Sequence, residues 1–423
     1  MRISKLVKKV LGLKDTVVES AAVETRARGR KRRREVRVLV VRVRPAARRA
    51  LRCPVCLDRR PFRDEGRGRR LWRALDFGVF EVWLEADAPR VACPEHGVLV
   101  AHVPWARHKS RFTASFEDTC AWLVTRMNVT AVAEYMRTSW RGVDGMVERV
   151  TAEMAGRRDA LAGLRRVGVD EMAHRRGHRY ITVVVDHDTG RLVWARKGRD
   201  SKVVHGFLDD LGEERARQLT HVSADGAEWI HGPFRERAPQ AVICLDPFHV
   251  VGWATDAVDE VRRRMAAELR RQGKPDQAAA VKGLRWALVK NPENQSPEQR
   301  GRVAEIARTN ARLYRAYLVK EQLREVFRVK GRHGRRLLAG VMAWCARSRV
   351  PELVSLGQSL ARHRELIWAT LDHGLSNARS EATNTHLRGL TKRAYGYHSP
   401  DALIAHAMLA RGGLRPDLPG RAA

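Results

Sequence analysis

The stretch LRRVGVDEMAHRRGHRYITVVVDHDTGRLVWARKG, residues 164–198, decides the fold class of this chain. It holds three short runs rich in valine and other β-forming residues, and the turn signal DHDTG separates the second run from the third. The chain then continues to residue 251 with a helix, a strand in LTHVSADGAEW, a further helix and a strand in QAVICLDPFHVV. Strands that alternate with helices in this way predict an α/β core. Asp186 and Asp188, in the turn signal, are interpreted as turn-forming residues.

Two aspartates stand at strand ends of this predicted core. Asp170 lies on the first strand, in VGVDE, and Asp225 follows the fourth strand, in VSADG. Side chains alternate along a strand, so Asp170 and Glu171 point to opposite faces and only one of them can serve a given site. If the two strands are neighbours, Asp170 and Asp225 meet at one end of the sheet, where Mg²⁺ would find carboxylate ligands and accept phosphate oxygens as well. The alternative for each aspartate is a local role as a loop cap.

The charge of the chain indicates a polyanionic partner. Its 81 lysines and arginines outnumber its 48 acids, which leaves a net charge of +33 and an isoelectric point near 11.1. Most of the cations are arginines, which suit DNA or RNA because a guanidinium pairs with phosphate through two hydrogen bonds. A GC-rich genome also favours arginine codons, but it does not account for the net charge. No window approaches the roughly 20 apolar residues of a membrane span, and the N-terminus lacks a signal-peptide pattern, so we expect a cytoplasmic protein with no membrane partner.

Cysteine and histidine residues form two tight pairs, Cys53-Pro-Val-Cys56 and Cys93-Pro-Glu-His96. The pairs provide four sulfur and nitrogen ligands for tetrahedral zinc and leave no coordination position open for catalysis. The pattern predicts a structural zinc ribbon with one Zn²⁺. Free thiols or an iron–sulfur site are the alternatives, and ligand type and spacing favour zinc.

The segment NVTAVAEYMRTSWRGVDGMVERVTAEM, residues 128–154, reads as helix, short turn and helix. This is the layout of a helix-turn-helix, although any helical hairpin has the same pattern. A neighbouring zinc ribbon and a very basic chain favour the DNA-binding interpretation. The residues expected to meet a DNA groove and its phosphates lie around the turn: Arg137, Thr138, Ser139, Trp140 and Arg141.

The N-terminal residues are strongly basic. Residues 24–50 include the run RARGRKRRR, which is typical of a disordered basic arm. The following EVRVLVVRVRP, residues 35–45, partly alternates charged and β-branched residues and predicts a strand. A solvated strand face and contact with phosphates are equally compatible with this pattern.

A third acid, Asp246, stands with His249 in LDPFHVV after the last predicted strand. A histidine beside aromatic residues is usually a hydrogen-bonded core residue, so His249 is not interpreted as a metal ligand. We expect the pair to orient the catalytic end of the sheet or to contact DNA.

One further acid stands out in the last part of the chain. Residues 253–371 read as helices, and GLSNARSEATNTHLRGLTKRAYGYHS follows at residues 374–399. Within it, SEATNTHLRGLTKRA predicts a helix with Glu381 near its N-terminus and Ser380 as its cap. These residues alone describe a surface helix with a capping acid. The two upstream aspartates favour a metal-binding role for Glu381 instead, because a metal site needs a further acid.

The chain resembles bacterial insertion-sequence transposases of the ISL-three family over nearly all of its length. The resemblance rests on the stretches RCPVC, RVACPEHG, VPWARHKSRFTASFED, VGVDEMAHRRGHRYITVVVD, VSADGAEW, AVICLDPFHVV, ARLYRAYLVKEQLR and GLSNARSEATNTHLRGLTKRAYGYHS. It implies a DDE transposase, a metal-dependent polynucleotidyl transferase. The family's catalytic acids fall on Asp170, Asp225 and Glu381, and its D-x-x-H signature falls on Asp246 and His249.

The resemblance also implies the domain order of a multidomain α/β plus α protein, in which an all-helical insertion interrupts an RNase-H-like core. The long separation of Asp225 from Glu381 fits such an insertion. The expected parts are a basic N-terminal segment (1–52), a zinc-ribbon domain (53–110), a helix-turn-helix domain (111–162), the first part of the catalytic core (163–252), the all-helical insertion (253–371) and the last part of the core with the Glu-bearing helix (372–423).

A function in DNA transposition follows from the resemblance. The three acids would hold two Mg²⁺ (or Mn²⁺) ions, and the enzyme would cleave double-stranded DNA at terminal inverted repeats and join the ends to target DNA. Arg388, Lys392 and Arg393 become candidates for contact with the DNA backbone beside the metals. A homodimer or higher homo-oligomer associated with the bacterial nucleoid is expected by analogy. The alternatives are a catalytically silent, domesticated transposase that regulates as a sequence-specific DNA-binding protein, and an RNA-processing nuclease on the same core.

Overall fold

A computed structural model describes residues 3–28, 34–175, 177 and 179–421. The chain forms two compact units, one of residues 1–160 and 389–423 and one of residues 161–388. The middle of the basic run RARGRKRRR, residues 29–33, lies outside the described residues. None of the described helices combines the length and the apolar character that crossing a membrane requires.

The first unit contains two small sheets and a group of helices. Its elements are α1 (Ile3–Val10), β1 (Thr16–Arg28), β2 (Arg34–Pro45), β3 (Phe62–Asp64), β4 (Arg69–Phe77), β5 (Phe80–Asp87), β6 (Arg90–Cys93), β7 (Gly97–Val100), α2 (Ala114–Val124), α3 (Val129–Tyr135) and α4 (Trp140–Arg157). It is completed by α17 (Pro400–Arg411) from the C-terminal segment.

The N-terminal strands do not form a disordered arm. β1 and β2 form a long antiparallel hairpin, and the four-stranded sheet has the order β1-β2-β5-β4. Val41, Trp72 and Leu84 are among the residues that give this sheet its own apolar core. The predicted strand at residues 35–45 is therefore confirmed, whereas the basic-arm interpretation is wrong for the described residues on either side of 29–33. Apolar side chains along β2 pack in this core, which a solvated arm would expose to water.

The two pairs of zinc ligands, Cys53/Cys56 and Cys93/His96, lie beside a three-stranded sheet of order β3-β6-β7. Strands β4 and β5 come between the two pairs of zinc ligands in sequence, yet they belong to the four-stranded sheet, where β5 pairs with β2 and β4 pairs with β5. Residues between the zinc ligands therefore belong to two sheets.

The predicted helix-turn-helix is present as α3 and α4, with α2 packed beside them. Thr113, Asn128 and Ser139 cap the three helices, each through a side-chain oxygen that accepts a backbone N–H. The C-terminal helix α17 joins this group, because Ala405 and Leu409 share an apolar cluster with Val147. Residues 389–423 thus belong to the first compact unit, and the expected assignment of 372–423 to the catalytic core stays a prediction.

The second unit combines one sheet with many helices. Its elements are β8 (Arg166–Arg175), β9 (Arg179–Asp186), β10 (Leu192–Lys197), α5 (Ser201–Leu211), α6 (Glu213–Ala216), β11 (His221–Ala224), α7 (Glu228–Arg237), β12 (Val242–Leu245), α8 (Pro247–Arg271), α9 (Pro275–Gly283), α10 (Arg285–Val289), α11 (Pro297–Thr309), α12 (Ala311–Val329), α13 (Gly331–Arg347), α14 (Pro351–Arg362), α15 (Arg364–His373) and α16 (Ala378–Arg393). The residues of α16 from Gly389 onward are counted with the first unit.

The five-stranded sheet has the order β10-β9-β8-β11-β12. β8, β9 and β10 are antiparallel neighbours, whereas β11 pairs parallel with both β8 and β12. Every strand and helix predicted between residues 164 and 251 is confirmed. Asp186 forms the predicted turn, since its carboxylate accepts the backbone N–H groups of Asp188 and Thr189.

The helical prediction for residues 253–371 is also confirmed, with α8 to α15 built around a second apolar cluster. This block packs on the sheet at β12, where the Thr370 hydroxyl donates to the Leu245 carbonyl over 2.7 Å. Leu366 packs against the clusters of both the helical block and the sheet. The next helix, α16, therefore starts beside the end of β12.

Candidate active site and zinc centre

The parallel strands β8, β11 and β12 bring three acids to one end of the sheet, where the chain leaves β11 and β12. Ser223 of β11 pairs with Gly168 of β8, so the same register two residues further places Asp225 beside Asp170. Ala224 pairs with Leu245 of β12, and one residue further the register places Asp225 beside Asp246. The carboxyl ends of parallel strands are where α/β proteins collect functional groups.

Asn377, the residue before α16, ties that helix to all three strands. It is fully buried. Its backbone N–H donates to Asp246 Oδ1 over 3.1 Å, and its side-chain Nδ2 donates to the Val169 carbonyl over 3.3 Å. Its Oδ1 accepts the hydroxyl of Ser223 at 2.9 Å. One side chain thus fixes the start of α16, and with it the position of Glu381 one turn later.

A small residue is required where α16 meets β8. A Cβ added to Gly168 would collide with Ser380 Oγ and would lie 2.9 Å from Asn377 Oδ1 and from His187 Nε2. Ser380 was expected to cap the helix. Because α16 begins earlier, at Ala378, Ser380 lies within the first turn, and that expectation is wrong.

Asn384 contacts the first acid directly. Its Nδ2 donates to Asp170 Oδ2 over 2.8 Å, while Asp170 Oδ1 accepts the backbone N–H of Glu171 at the same distance. Asn384 lies one turn after Glu381 on the same face of α16. The helix therefore supplies an acid and an amide that lie on the sheet edge together.

The pKa values of the acids and of His249 show that the charges of these side chains interact. Burial raises the pKa of Asp170 to about 6, and the charges of Asp225 and Asp246 act in the same direction. Burial also raises the pKa of Glu381, with further increases from Asp246 and Asp170. The hydrogen bond that His249 Nδ1 donates to Asp246 Oδ2 raises the pKa of His249 to about 9, so its imidazolium is a cation within the cluster.

The cluster has the donor chemistry of a hard-cation site. Mutual repulsion among carboxylates makes their ionised forms costly, and a divalent cation relieves that cost. Glu171 Oε2 and Asn384 Oδ1 are buried acceptors with no hydrogen-bond partner among the described residues, which fits a hydrated cation nearby. The acids nevertheless form a more open group than the zinc centre: of the described residues, only the four zinc-ribbon side chains bring three or more ligand atoms within 4.8 Å of one another.

Glu171 adds a carboxylate that alternation along the strand assigned to the other face. Burial raises its pKa to about 7, and the charge of Asp225 raises it further. Its Oε1 pairs with Arg199 Nε at 2.9 Å. Both acids of the Asp170–Glu171 pair therefore interact electrostatically with Asp225, although they leave opposite faces of β8.

Asn377, Asn384, Ser223 and His187 were not predicted as site residues. For the two asparagines the signal was the helical spacing of Asn377, Glu381 and Asn384, which puts three polar groups on one face. Ser223 and His187 carried no such signal, because their hydrogen bond joins the turn after β9 to strand β11, 36 residues further along the chain.

The predicted DNA-binding residues lie at the start of α4, in different environments. Ser139 caps α4, and Arg137 pairs with Asp76 Oδ2 at 3.5 Å. Trp140 is 47% exposed, and the guanidinium of the exposed Arg141 lies 5.3 Å from the centroid of its ring. Thr138, half-buried, precedes the cap. Trp140 and Arg141 thus present an aromatic face and a cation to solvent.

Three cations predicted for DNA contact lie along α16. Arg388 is exposed, and its charge lowers the pKa of Glu381 against the larger effect of burial. Lys392 is also exposed, whereas Arg393 donates to the Arg126 carbonyl over 3.4 Å. Of these three cations, Arg388 is the closest in sequence to Glu381.

The zinc ligands converge as predicted. Cys53 Sγ and Cys93 Sγ lie 3.8 Å and 3.4 Å from His96 Nδ1, and the sulfurs of Cys56 and Cys93 are 3.9 Å apart. Tetrahedral zinc with metal–sulfur bonds of about 2.3 Å places two sulfur ligands roughly 3.8 Å apart, so the spacing fits zinc. The arrangement is a closed Cys₃His site, in keeping with a structural metal.

We predict that His187 makes the stability of the second unit depend on pH. Burial lowers its pKa to about 4 from the ordinary 6.5, and Arg379 and Arg166 add to the effect. Between these values the unfolded chain binds a proton at His187 that the native state does not, so the contribution of His187 to stability is complete above pH 6.5 and is lost as pH drops towards 4. The expected loss is about 3 kcal/mol in the free energy of urea unfolding.

The matched variants for this prediction are His187→Gln and His333→Gln, the latter at an exposed histidine of the same unit. His187→Gln should flatten the pH dependence between 4 and 6.5, and His333→Gln should leave it as in the wild type. Equal pH profiles for all three proteins would contradict the assignment.

Comparison with known proteins gives the same domain order. Family profiles match residues 49–96 as a zinc-finger of transposase IS204/IS1001/IS1096/IS1165, residues 101–151 as a helix-turn-helix domain of transposase family ISL3, and residues 167–407 as a transposase of the DDE type. The third match covers more than half of the chain.

Curated relatives support this result. The chain is 48% identical to the transposase for insertion sequence element IS1557 of two Mycobacterium tuberculosis strains, over 100% of this chain and 98% of each relative. It is 27% identical to the transposase for insertion sequence element IS1001 of Bordetella parapertussis, over 78% of this chain and 82% of that relative.

A zinc ribbon, a helix-turn-helix and an α/β unit that carries a DDE transposase domain define a transposase that acts on DNA. Within that class, the chain belongs to transposase family ISL3. The predicted resemblance, enzyme class and zinc ribbon are thereby confirmed.

Proposed function

We propose that the chain catalyses Mg²⁺- or Mn²⁺-dependent cleavage and strand transfer at the terminal inverted repeats of an insertion sequence, with Asp170, Asp225 and Glu381 as its catalytic acids. The observation that carries the proposal is the attachment of α16 to the edge where β8, β11 and β12 end. That attachment places Glu381 and Asp170 in one electrostatic field, in which each acid is harder to ionise.

The fold supports an RNase-H-like core interrupted by an all-helical insertion. Three antiparallel strands are followed by two strands parallel to the first, in the order β10-β9-β8-β11-β12. The helices at residues 253–371 follow β12 in sequence, and the last of them, α15, packs against β12 again. The next helix, α16, carries Glu381. This arrangement accounts for the long separation of Asp225 from Glu381.

The acids would hold two metal ions, and the residues around them would set their geometry. Bound Mg²⁺ supplies the positive charge that activates an attacking hydroxyl and stabilises the departing 3′ oxygen of DNA. Asn384 orients the carboxylate of Asp170, and Asn377 holds Asp246 and the strand ends in register. The imidazolium of His249 offsets part of the negative charge that the cluster carries before DNA enters. Asp246 and His249 are therefore auxiliary residues in this proposal.

DNA recognition would be divided between the helix-turn-helix, the zinc ribbon and cationic surfaces. Trp140 and Arg141 would contact the DNA groove and its phosphates, and Arg388, Lys392 and Arg393 would contact the DNA backbone. Phosphate contacts release counterions, so binding should weaken steeply as salt is added. Two element ends must be brought together, which favours a homodimer or higher oligomer acting at the bacterial nucleoid.

The decisive experiment incubates the purified, zinc-loaded protein and Mg²⁺ with DNA that bears the inverted repeats flanking its gene. Nicked ends and joined products are expected, and EDTA should abolish both. Binding of the repeats without any cleavage would favour a catalytically silent regulator. Cleavage of RNA without joining of DNA would favour a nuclease.

A matched pair of variants tests the amide that contacts Asp170. Groups that orient metal ligands are typically worth 10- to 100-fold in metal affinity or activity. We therefore expect Asn384→Ala to raise the Mg²⁺ concentration needed for half-maximal cleavage by roughly tenfold or more. Thr385→Ala, at the exposed next position, should leave it unchanged. A lower thermal stability of Asn384→Ala with an unaltered Mg²⁺ requirement would show that Asn384 is only structural.

A further inference from the structure

A groove of about 820 Å³ lies in the first unit, outside the acid cluster and the start of α4. It is lined by β4, by β7 and by residues 101–112. β4 is an edge strand of the four-stranded sheet, and β7 is an edge strand of the zinc-ribbon sheet. The groove therefore lies between the four-stranded sheet and the zinc ribbon. It belongs neither to the proposed catalytic site nor to the helix-turn-helix.

Four exposed cations line the groove without compensation. Arg67, Arg70, Lys109 and Arg111 belong to its lining, and none of them pairs with a carboxylate among the described residues. Such a concentration of unneutralised charge attracts an anion with several charges rather than one.

Other cations that line the groove are neutralised by carboxylates, unlike these four. Arg69 pairs with Asp87 at 3.3 Å, and Arg90 donates to Asp64 through two nitrogens. The acids thus compensate some positions and leave the other four free to bind a ligand.

The groove also has an apolar wall. Leu71 is 37% exposed and Val98 is 47% exposed, and Trp83 and Phe112, both half-buried, complete this side. A duplex presents only base edges in its grooves, whereas an unpaired strand offers the flat faces of its bases together with its phosphates. Cations opposite an apolar and aromatic wall are the combination that binds single strands.

We propose that this groove binds an unpaired segment of DNA strand, with phosphates on Arg67, Arg70, Lys109 and Arg111 and bases against the wall that contains Trp83. The inference rests on the proposed function, because cleavage at an element end creates a free strand terminus, which can then unpair from its complement. The groove would hold that strand beside the zinc ribbon while the helix-turn-helix holds the duplex.

The test measures fluorescence anisotropy of a labelled oligothymidylate and of a labelled inverted-repeat duplex with the full-length, zinc-loaded protein. The double variant Arg70→Gln/Arg111→Gln removes two free cations of the groove. The control Lys8→Gln/Lys9→Gln removes two exposed cations of α1 outside the groove, so the net charge falls equally. Zinc content and circular dichroism confirm that each variant is folded.

The groove variant should bind the oligothymidylate on the order of tenfold more weakly, and its salt dependence should fall by about 1.4 in log–log slope, at roughly 0.7 for each lost phosphate contact. The control should bind the oligothymidylate almost as the wild type does, and both double variants should retain duplex binding. Val98→Glu, which places an acid on the apolar wall at an exposed position, should also weaken oligothymidylate binding.

If the groove variant and the control lose oligothymidylate binding equally, the loss reflects only the lower net charge, and the proposal is overturned. Weaker duplex binding with unchanged oligothymidylate binding would also overturn it, as would a wild type that does not bind the single strand. Because binding is measured without metal-dependent cleavage, failure of the catalytic proposal appears separately, as absence of nicked and joined DNA.

Discussion

Glu381→Gln is expected to abolish DNA cleavage and joining while leaving binding of the inverted repeats intact. Glutamine keeps the size and most hydrogen bonds of glutamate but removes the negative charge that would bind the metals. Loss of the several kcal/mol of transition-state stabilisation that such a metal supplies corresponds to at least about a thousandfold in rate. Removing one acid also relieves repulsion on Asp170, so the variant should be at least as stable to urea as the wild type.

The matched control is Glu365→Gln, at an exposed glutamate of α15 in the same unit that pairs with Arg364. It should retain full cleavage. A gel assay of nicked and joined products reports catalysis, and an anisotropy assay with the repeat duplex reports binding. If Glu381→Gln cleaves at the wild-type rate, Glu381 is a surface acid of α16 and the catalytic assignment is incorrect.

The local features of this chain could be predicted from its sequence. β-branched residues marked the strands from β8 to β12 and apolar residues at helical spacing marked α8 to α15, because each pattern depends on neighbours within a few positions. The zinc ligands were predicted for a similar reason, since each pair needs only one tight turn. For the acids, one assumption was needed, that β8 and β11 are neighbours, and the sheet order confirms it.

The features that depend on long-range packing could not be predicted. β4 and β5 lie between the zinc ligands in sequence, and nothing local shows that they join the sheet of β2, through β5, rather than the ribbon strands. The C-terminal helix α17 follows the Glu381 helix directly, yet its apolar face packs on α4 of the first unit. A contact of this kind is selected by shape and apolar area across the whole unit.

The same limit applies to the residues that hold the acid cluster together. Asn377 was visible as a polar residue on a helix face, but its three partners belong to strands that are more than 100 residues away in sequence. Gly168 carried no turn signal, and only the approach of Ser380 and Asn377 explains it. Sequence patterns thus located the acids, whereas the groups that position them became visible only in the fold.

The second large effect is expected from Cys56→Ser, which removes one ligand of the zinc centre. The ribbon strands β3, β6 and β7 have only three or four residues each, and few of their side chains are buried apart from Val91 and Cys93. So small a core cannot fold without its metal, and structural zinc contributes about 10–16 kcal/mol in comparable peptides. We therefore expect Cys56→Ser to lose the bound zinc, to unfold the ribbon and to weaken inverted-repeat binding strongly.

The control for this prediction is Cys120→Ser, at a fully buried cysteine of α2 that is not a zinc ligand. It places a hydroxyl in an apolar cluster and should lower stability while keeping one zinc per chain. Atomic absorption gives the zinc content, and near-ultraviolet circular dichroism gives the state of the aromatic residues. Retention of zinc by Cys56→Ser with unchanged DNA binding would contradict a structural Cys₃His site. Loss of zinc without loss of DNA binding would keep the metal site but remove the ribbon from DNA recognition.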